Sequence, residues 1–130
     1  MTLALLLSAL PVTTAASTPQ IQPRWTNTVM VYTHLTFSGS EGVITASITG
    51  RPNVSNITVE IKLYYKNIRG NWIDTHNSWT YSVDDMSFEK VERFNAVAGR
   101  EYKAVFTATV YKDGYGEVVS DYATGTCPSN

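Results

Sequence analysis

From Ile57 to Tyr65 every second residue is apolar. Ile57, Val59, Ile61, Leu63 and Tyr65 alternate with Thr58, Glu60, Lys62 and Tyr64, and Lys66 continues the polar phase. Successive side chains of a strand point to opposite faces, so this spacing gathers the apolar residues on one face. A helix would scatter them around its axis. The same rhythm recurs. Val29, Val31, Thr33, Leu35 and Phe37 alternate with Met30, Tyr32, His34 and Thr36. Ile44, Ala46 and Ile48 share a phase, as do Trp79, Tyr81 and Val83. Tyr102, Ala104, Phe106, Ala108 and Val110 alternate with Lys103, Val105, Thr107, Thr109 and Tyr111.

Turn chemistry separates these runs. Ser38-Gly39-Ser40-Glu41-Gly42, Gly50-Arg51-Pro52-Asn53, Asn67-Ile68-Arg69-Gly70-Asn71 and Asp84-Asp85 break the chain. Asp113-Gly114 is a strong hairpin signal, because that pair tolerates the positive φ of a tight turn. Met86–Phe94 is weaker. Phe88 and Phe94 share a phase that Lys90 and Glu92 interrupt, which fits a short helix or a bulged strand, and the bulged strand is the favoured reading. A last strand runs from Glu117 to Thr126. About seven short strands at this spacing predict a single antiparallel all-β sandwich over residues 28–126. Helical periodicity is absent elsewhere, and no long internal repeat is evident. The predicted core is Ile44, Ala46, Ile48, Ile57, Val59, Ile61, Leu63, Tyr102, Phe106, Ala108 and Val110.

One hundred and thirty residues suggest one domain. The chain is 43% apolar and 16% charged, the reverse of a disordered composition. Its net charge is −1, and no Lys/Arg cluster appears. A nucleic-acid partner and polybasic membrane attachment are therefore not expected.

The first charged residue is Arg24. Before it, Leu3 to Leu10 is apolar but for Ser8, Pro11 breaks the run, and Thr13-Thr14-Ala15-Ala16-Ser17 is small. That order matches the apolar and cleavage regions of a signal peptide, although no Lys or Arg precedes it. Residues 1–16 are read as a leader and 17–27, with Pro19 and Pro23, as an extended lead-in. The apolar run is shorter than the roughly 20 residues that span a bilayer. The expectation is a secreted protein with no stable membrane insertion. Cys127 is the single cysteine, in a 127–130 tail. It reads as a frayed thiol, or else as the source of an intermolecular disulfide and self-association.

Gly99-Arg100-Glu101-Tyr102, followed by Ala104, Phe106 and Ala108, resembles the corner and following strand of immunoglobulin-like and fibronectin type III-like sandwiches. The resemblance implies that Tyr102 sends its hydroxyl back to the backbone and pins that corner. The antibody cysteine pair is absent, and an aliphatic run replaces the usual core Trp of the third strand. A second resemblance covers most of the mature chain. Gln22-Pro23-Arg24-Trp25, Ala46-Ser47-Ile48-Thr49-Gly50, the run Tyr102 to Tyr111, and Thr126-Cys127 look like a family of small secreted proteins of unknown function from Gram-positive gut bacteria. It implies export and a sandwich, and no activity or ligand.

Reactive residues are few. His34 and His76 are the only histidines, and His34 falls on the outward phase. Asp74 and His76 are two apart and would share a strand face, but two ligands do not make a zinc site. Asp84 and Asp85, with Glu89 and Glu92, could supply paired carboxylates, yet a sandwich this small has little room for a cleft. Asp113 and Glu117 form too short and acid-poor a loop for calcium. Asn53-Val54-Ser55 and Asn56-Ile57-Thr58 fit the glycosylation pattern, which a bacterial source would make coincidental. No catalytic residue, metal or cofactor is assigned, and an enzyme is not expected.

What remains is aromatic surface. Trp25, Tyr32, Tyr64, Trp72, Tyr111, Tyr115 and Tyr122 fall outside the core phase or in loops. Exposed rings can anchor a protein partner or stack on a glycan, or simply pair across strands. Trp72, Tyr64 and Tyr111 form the candidate binding face, provided the third, fourth and sixth strands are neighbours. The function read here is a non-catalytic binding or structural module for a protein partner. The alternative is a carbohydrate-binding module, and a small hydrolase comes third.

Overall fold

The computed structural model describes residues 20–21 and 25–129. The segment 1–16 read as a leader, and much of the 17–27 lead-in, lie outside the described residues. Eight strands follow in order: β1 (Gln20–Ile21), β2 (Thr28–Ser38), β3 (Glu41–Gly50), β4 (Asn56–Lys66), β5 (Trp72–Val83), β6 (Ser87–Asn95), β7 (Glu101–Lys112) and β8 (Tyr115–Thr126). They form two antiparallel sheets, β1-β2-β3-β6 and β5-β4-β7-β8. No helix occurs among the described residues. Seven long strands in two stacked sheets are consistent with an immunoglobulin/fibronectin III-like sandwich.

The alternation sets the faces. Ile57, Ile61 and Leu63 of β4 are fully buried, as are Ala104, Phe106 and Val110 of β7 and Val31, Leu35, Ile44 and Ala46 of the other sheet. All eleven residues expected in the core are buried. The two sheets meet through aromatic rings, with Phe88 of β6 stacked on Phe106 of β7 at 6.2 Å. The Asp113-Gly114 hairpin carries φ of 54° and 78°, and Lys112 pairs with Tyr115 across it. Positive φ at both central residues is what a two-residue turn needs to match strand twist.

The weak strand differs from its reading. β6 pairs with β3 in unbroken register from Ser87 to Asn95, without a bulge. Lys90 and Glu92 interrupt the apolar phase because β6 is an edge, where inward side chains reach the flank of the sandwich. There the Tyr81 hydroxyl donates to Glu92, and Lys90 lies 5.2 Å from the Tyr81 ring. The pair links β5 to β6 across that flank, and the bond to Glu92 raises the Tyr81 pKa. The register shifts lie elsewhere, at Thr28–Met30 in β2 and beside Leu63 in the β4–β5 pair.

The opposite flank is closed by Glu117. Its carboxylate accepts the backbone N–H of Thr26 at 2.6 Å and of Asn27 at 2.8 Å, and the Thr28 hydroxyl at 2.9 Å. Asn27 is itself buried, and its amide donates to the carbonyls of Val110 and Tyr115. Further along β8, Asp121 points inward and is nearly buried. An inward charge on an edge strand discourages pairing with another chain.

Tyr102 is buried in the β6–β7 corner, and its hydroxyl accepts the N–H of Val97 at 2.8 Å. The reading of the C-terminus as a frayed tail is corrected by the same region. Cys127 is 1% exposed, its N–H donates to Arg100 O, and its carbonyl accepts Gly99 N–H. The thiol packs in the core and faces Gly39 O at 3.5 Å. It therefore presents no surface for a disulfide to a second chain unless the C-terminal end of the sandwich opens.

Phe94 lies across Gly42, its strand partner in β3, and packs edge-on against Phe37 at 6.1 Å. A Cβ at Gly42 would fall 2.2 Å from Phe94 Cζ. Gly42→Ala should therefore cost about 1–3 kcal/mol through overpacking. Combining it with Phe94→Leu should recover part of that loss, read as a non-additive double-mutant cycle in urea denaturation.

Candidate functional site

The outer face of the β5-β4-β7-β8 sheet carries the aromatic residues singled out above. β4 lies between β5 and β7, so the strands bearing Tyr64, Trp72 and Tyr111 are neighbours. Tyr64 sits opposite Asp74 on β5 and Lys103 on β7, and Trp72 sits opposite Lys66. These residues share one face and one end of the sheet. Tyr111 shares the face but not the end. It pairs with Asn56, eight residues along β7 from Lys103, or roughly 27 Å in an extended strand. The structure thus brings together two of the three candidate residues and leaves the third at the far end.

In place of Tyr111 the cluster contains Tyr122 of β8, opposite Val105 and 56% exposed. Lysines thread between the rings. Lys103 Nζ lies 5.5 Å from the Trp72 ring and 4.7 Å from the Tyr122 ring. Lys66, on the adjacent strand β4, lies 5.0 Å from Trp72, and Lys62 lies 5.9 Å from Tyr64. Each such contact contributes about 0.5–1 kcal/mol at an exposed site. Two carboxylates balance part of the charge: Lys62 pairs with Asp74 at 3.6 Å and Lys66 with Glu101 at 3.3 Å. Among the described residues Lys103 has no carboxylate partner.

The charge states follow. Tyr64 and then Asp74 raise the Lys62 pKa, and burial opposes them. Asp74 is held below the ordinary carboxylate range, first by the backbone N–H of His76, with burial opposing and Lys62 assisting. Lys62 therefore stays a cation beside the Tyr64 ring at neutral pH.

The β4–β5 hairpin extends this surface. The Asn67 side-chain oxygen accepts the N–H groups of Arg69 and Asn71, both at 2.9 Å, and Gly70 takes a φ of 86°. This bonded turn holds Ile68 completely exposed at its tip. Aromatic faces, cations and an apolar tip are thus collected at one end.

The other reactive residues are scattered. His34 lies on the outer face of the opposite sheet, edge-on to Tyr32 at 5.8 Å. Asp74 and His76 do not form the same-face pair of a regular strand. Thr75, His76 and Asn77 bulge opposite Leu63, with His76 at φ 68° and its N–H donated to Asp74 at 2.7 Å. Asp84 and Asp85 sit in an exposed turn. Glu92 is engaged by Tyr81, and Glu117 by the segment Thr26–Thr28. Among the described residues no group of three or more His, Cys, Asp or Glu side chains could hold a metal. A shallow depression of 560 Å³ in the middle of the face is lined chiefly by hydroxyls of Thr58, Thr80, Ser82, Thr107 and Thr109, with Glu60 at its side.

Lys103 and Lys66 were missed as partners of Trp72, and Tyr122 as a partner of Lys103. Alternation places Lys103 and Tyr122 on the outward phase, but which rows align depends on register, which the pattern of a single strand does not contain.

No family model matches the chain, and no curated protein matches it. Among solved structures it is similar to a β-glucuronidase from Parabacteroides merdae, with a TM-score of 0.46 and 10% identity. The match covers 71% of this chain and 13% of that enzyme.

Proposed function

We propose that this chain is an exported, non-catalytic binding module that grips a protein partner with the Trp72 end of its β5-β4-β7-β8 sheet. The observation that carries this reading is the Trp72–Lys103–Tyr122 sandwich, in which an ammonium with no carboxylate partner among the described residues sits between two rings. Aromatic anchors ringed by polar groups are the usual centres of protein interfaces. Lysines already lie over the ring faces that a sugar would stack on. The exposed Ile68 beside them offers an apolar contact that a polar glycan does not use.

Immobilised wild-type protein should retain a specific partner from its native extracellular medium. The Trp72→Ala/Tyr122→Ala double variant should lose it by tenfold or more, while Tyr111→Ala retains it. Retention by the double variant, or loss in Tyr111→Ala, contradicts the assignment. Saturable binding to a glycan array with a tryptophan fluorescence change would replace it with the carbohydrate reading.

A further inference from the structure

At the same end of the molecule a cavity of 450 Å³ lies between the β5 bulge and the β6–β7 connection. This is within the size range of small-ligand sites, roughly 300–1,000 Å³. Tyr65, Ile73 and Tyr102 give it an apolar wall, and Asn95, His76 and Arg100 a polar one. The bulge shapes one side. His76 holds a left-handed backbone there, and such strain persists only where surrounding structure enforces it.

Arg100 determines what the cavity can take. Its guanidinium carbon lies 4.1 Å from the centroid of the Tyr65 ring. Stacking occupies the face of the group and leaves its in-plane N–H donors at the edge. Among the described residues, those donors make no hydrogen bond or ion pair. The other two arginines that stand in strands or their margins are engaged, Arg93 with Glu41 and Arg51 with Trp25 O. Contact with the Tyr65 ring restrains the guanidinium, so less freedom is lost when it binds.

The local charge points the same way. This end of the sheet and its loops carries Lys62, Lys66, Arg69, Arg100 and Lys103 against Asp74 and Glu101. Both carboxylates are already paired with lysines. Asp74 is the one acid on the cavity wall, and its carboxylate is also bonded to His76 N–H. Lys62, Lys66 and Lys103 stand on the outer face of the sheet, so Arg100 is the cation on the cavity wall itself.

We propose that this cavity binds a small organic carboxylate. Arg100 holds the carboxylate through two parallel N–H···O bonds, and the apolar body lies along Tyr65 and Ile73. The planar fork of arginine matches a carboxylate in geometry as well as charge.

The test is a titration of labelled protein with benzoate, followed in amide and arginine Nε–Hε correlation spectra, with benzamide and chloride as parallel arms. Benzoate should produce saturable shifts at Arg100 Nε–Hε and at the amides of Asn95 and His76. Benzamide and chloride should not. Arg100→Gln, which keeps a planar end group over Tyr65, should weaken binding at least tenfold with the remaining spectrum unchanged. Arg100→Lys keeps the charge without the fork and should also weaken it, which preserves the test if the glutamine variant misfolds. Absence of saturable shifts, equal shifts with benzamide or chloride, or undiminished binding in both variants would overturn the site.

Discussion

Phe106→Ala is expected to lower unfolding free energy by about 3–5 kcal/mol, the range for emptying a large aromatic site in a packed core. Phe106 is fully buried on β7, a central strand of its sheet. Ile61 stands opposite it on β4 and Asp121 on β8. Its ring also meets Phe88 from the other sheet, so the cavity would open at the seam between layers. For a domain whose total stability is typically 5–15 kcal/mol, that is a large fraction. Urea denaturation should show a lower midpoint with little change in slope. Val118→Ala, on the outer face of β8 and 67% exposed, should stay within about 0.5 kcal/mol of the parent. Equal losses in the two variants would mean that the faces are assigned wrongly.

Glu117→Gln should produce the second large effect, about 2–3 kcal/mol at neutral pH, because three donors lose a charged acceptor. The effect depends on pH with a definite sign. Burial pushes the Glu117 pKa up, but the hydrogen bonds from Thr26, Asn27 and Thr28 outweigh it and leave it lowered. Its stabilisation is therefore complete above the unfolded value of about 4.3 and is lost as pH falls through the folded value. Asp121 behaves oppositely. Burial raises its pKa, and the bonds from Thr33 and from Tyr122 N–H only partly offset this. Its ionised form is disfavoured in the fold, so stability falls as pH rises from about 3.9 through the raised folded value, then stays flat. Asp121→Asn should consequently raise the melting temperature at pH 7 and lose that advantage in acid. Glu117→Gln should lower it at pH 7 and converge on wild type in acid. Thermal melts of the three proteins from pH 3 to 8 separate these signs.

The parts of the fold that were legible in sequence are those fixed by a single strand or turn. Ile57 to Leu63 could occupy one face only, and Asp113-Gly114 could make one kind of turn. What depends on pairing between strands was not legible. Tyr111, Tyr64 and Trp72 all take the outward phase, yet only register shows that Tyr111 lies at the wrong end and that Tyr122 takes its place. The β5 bulge escaped for a related reason. Its residues Thr75, His76 and Asn77 have no distinguishing composition, and the bulge is bonded by the Thr75 hydroxyl, the Asp74 carboxylate and Leu63 O. Lys90 and Glu92 misled because a charge on the inward phase looks like a break in pattern, whereas on an edge strand it reaches the flank. Cys127 misled by position, since four residues from a terminus is ordinarily a frayed place, and here the backbone of Gly99 and Arg100 holds it.

The Trp72 end of the sheet acts as a recognition face only if Lys103 lies between the two rings in solution. Carbon–proton correlation spectra of the lysine Hε groups test that contact without any partner. Lys103 Hε should be shifted upfield by ring currents, move partway toward the ordinary lysine position in Trp72→Ala or Tyr122→Ala, and reach it when both rings are removed. A Lys103 Hε signal at the ordinary position in the wild-type protein, indistinguishable from that of Lys112, would contradict it.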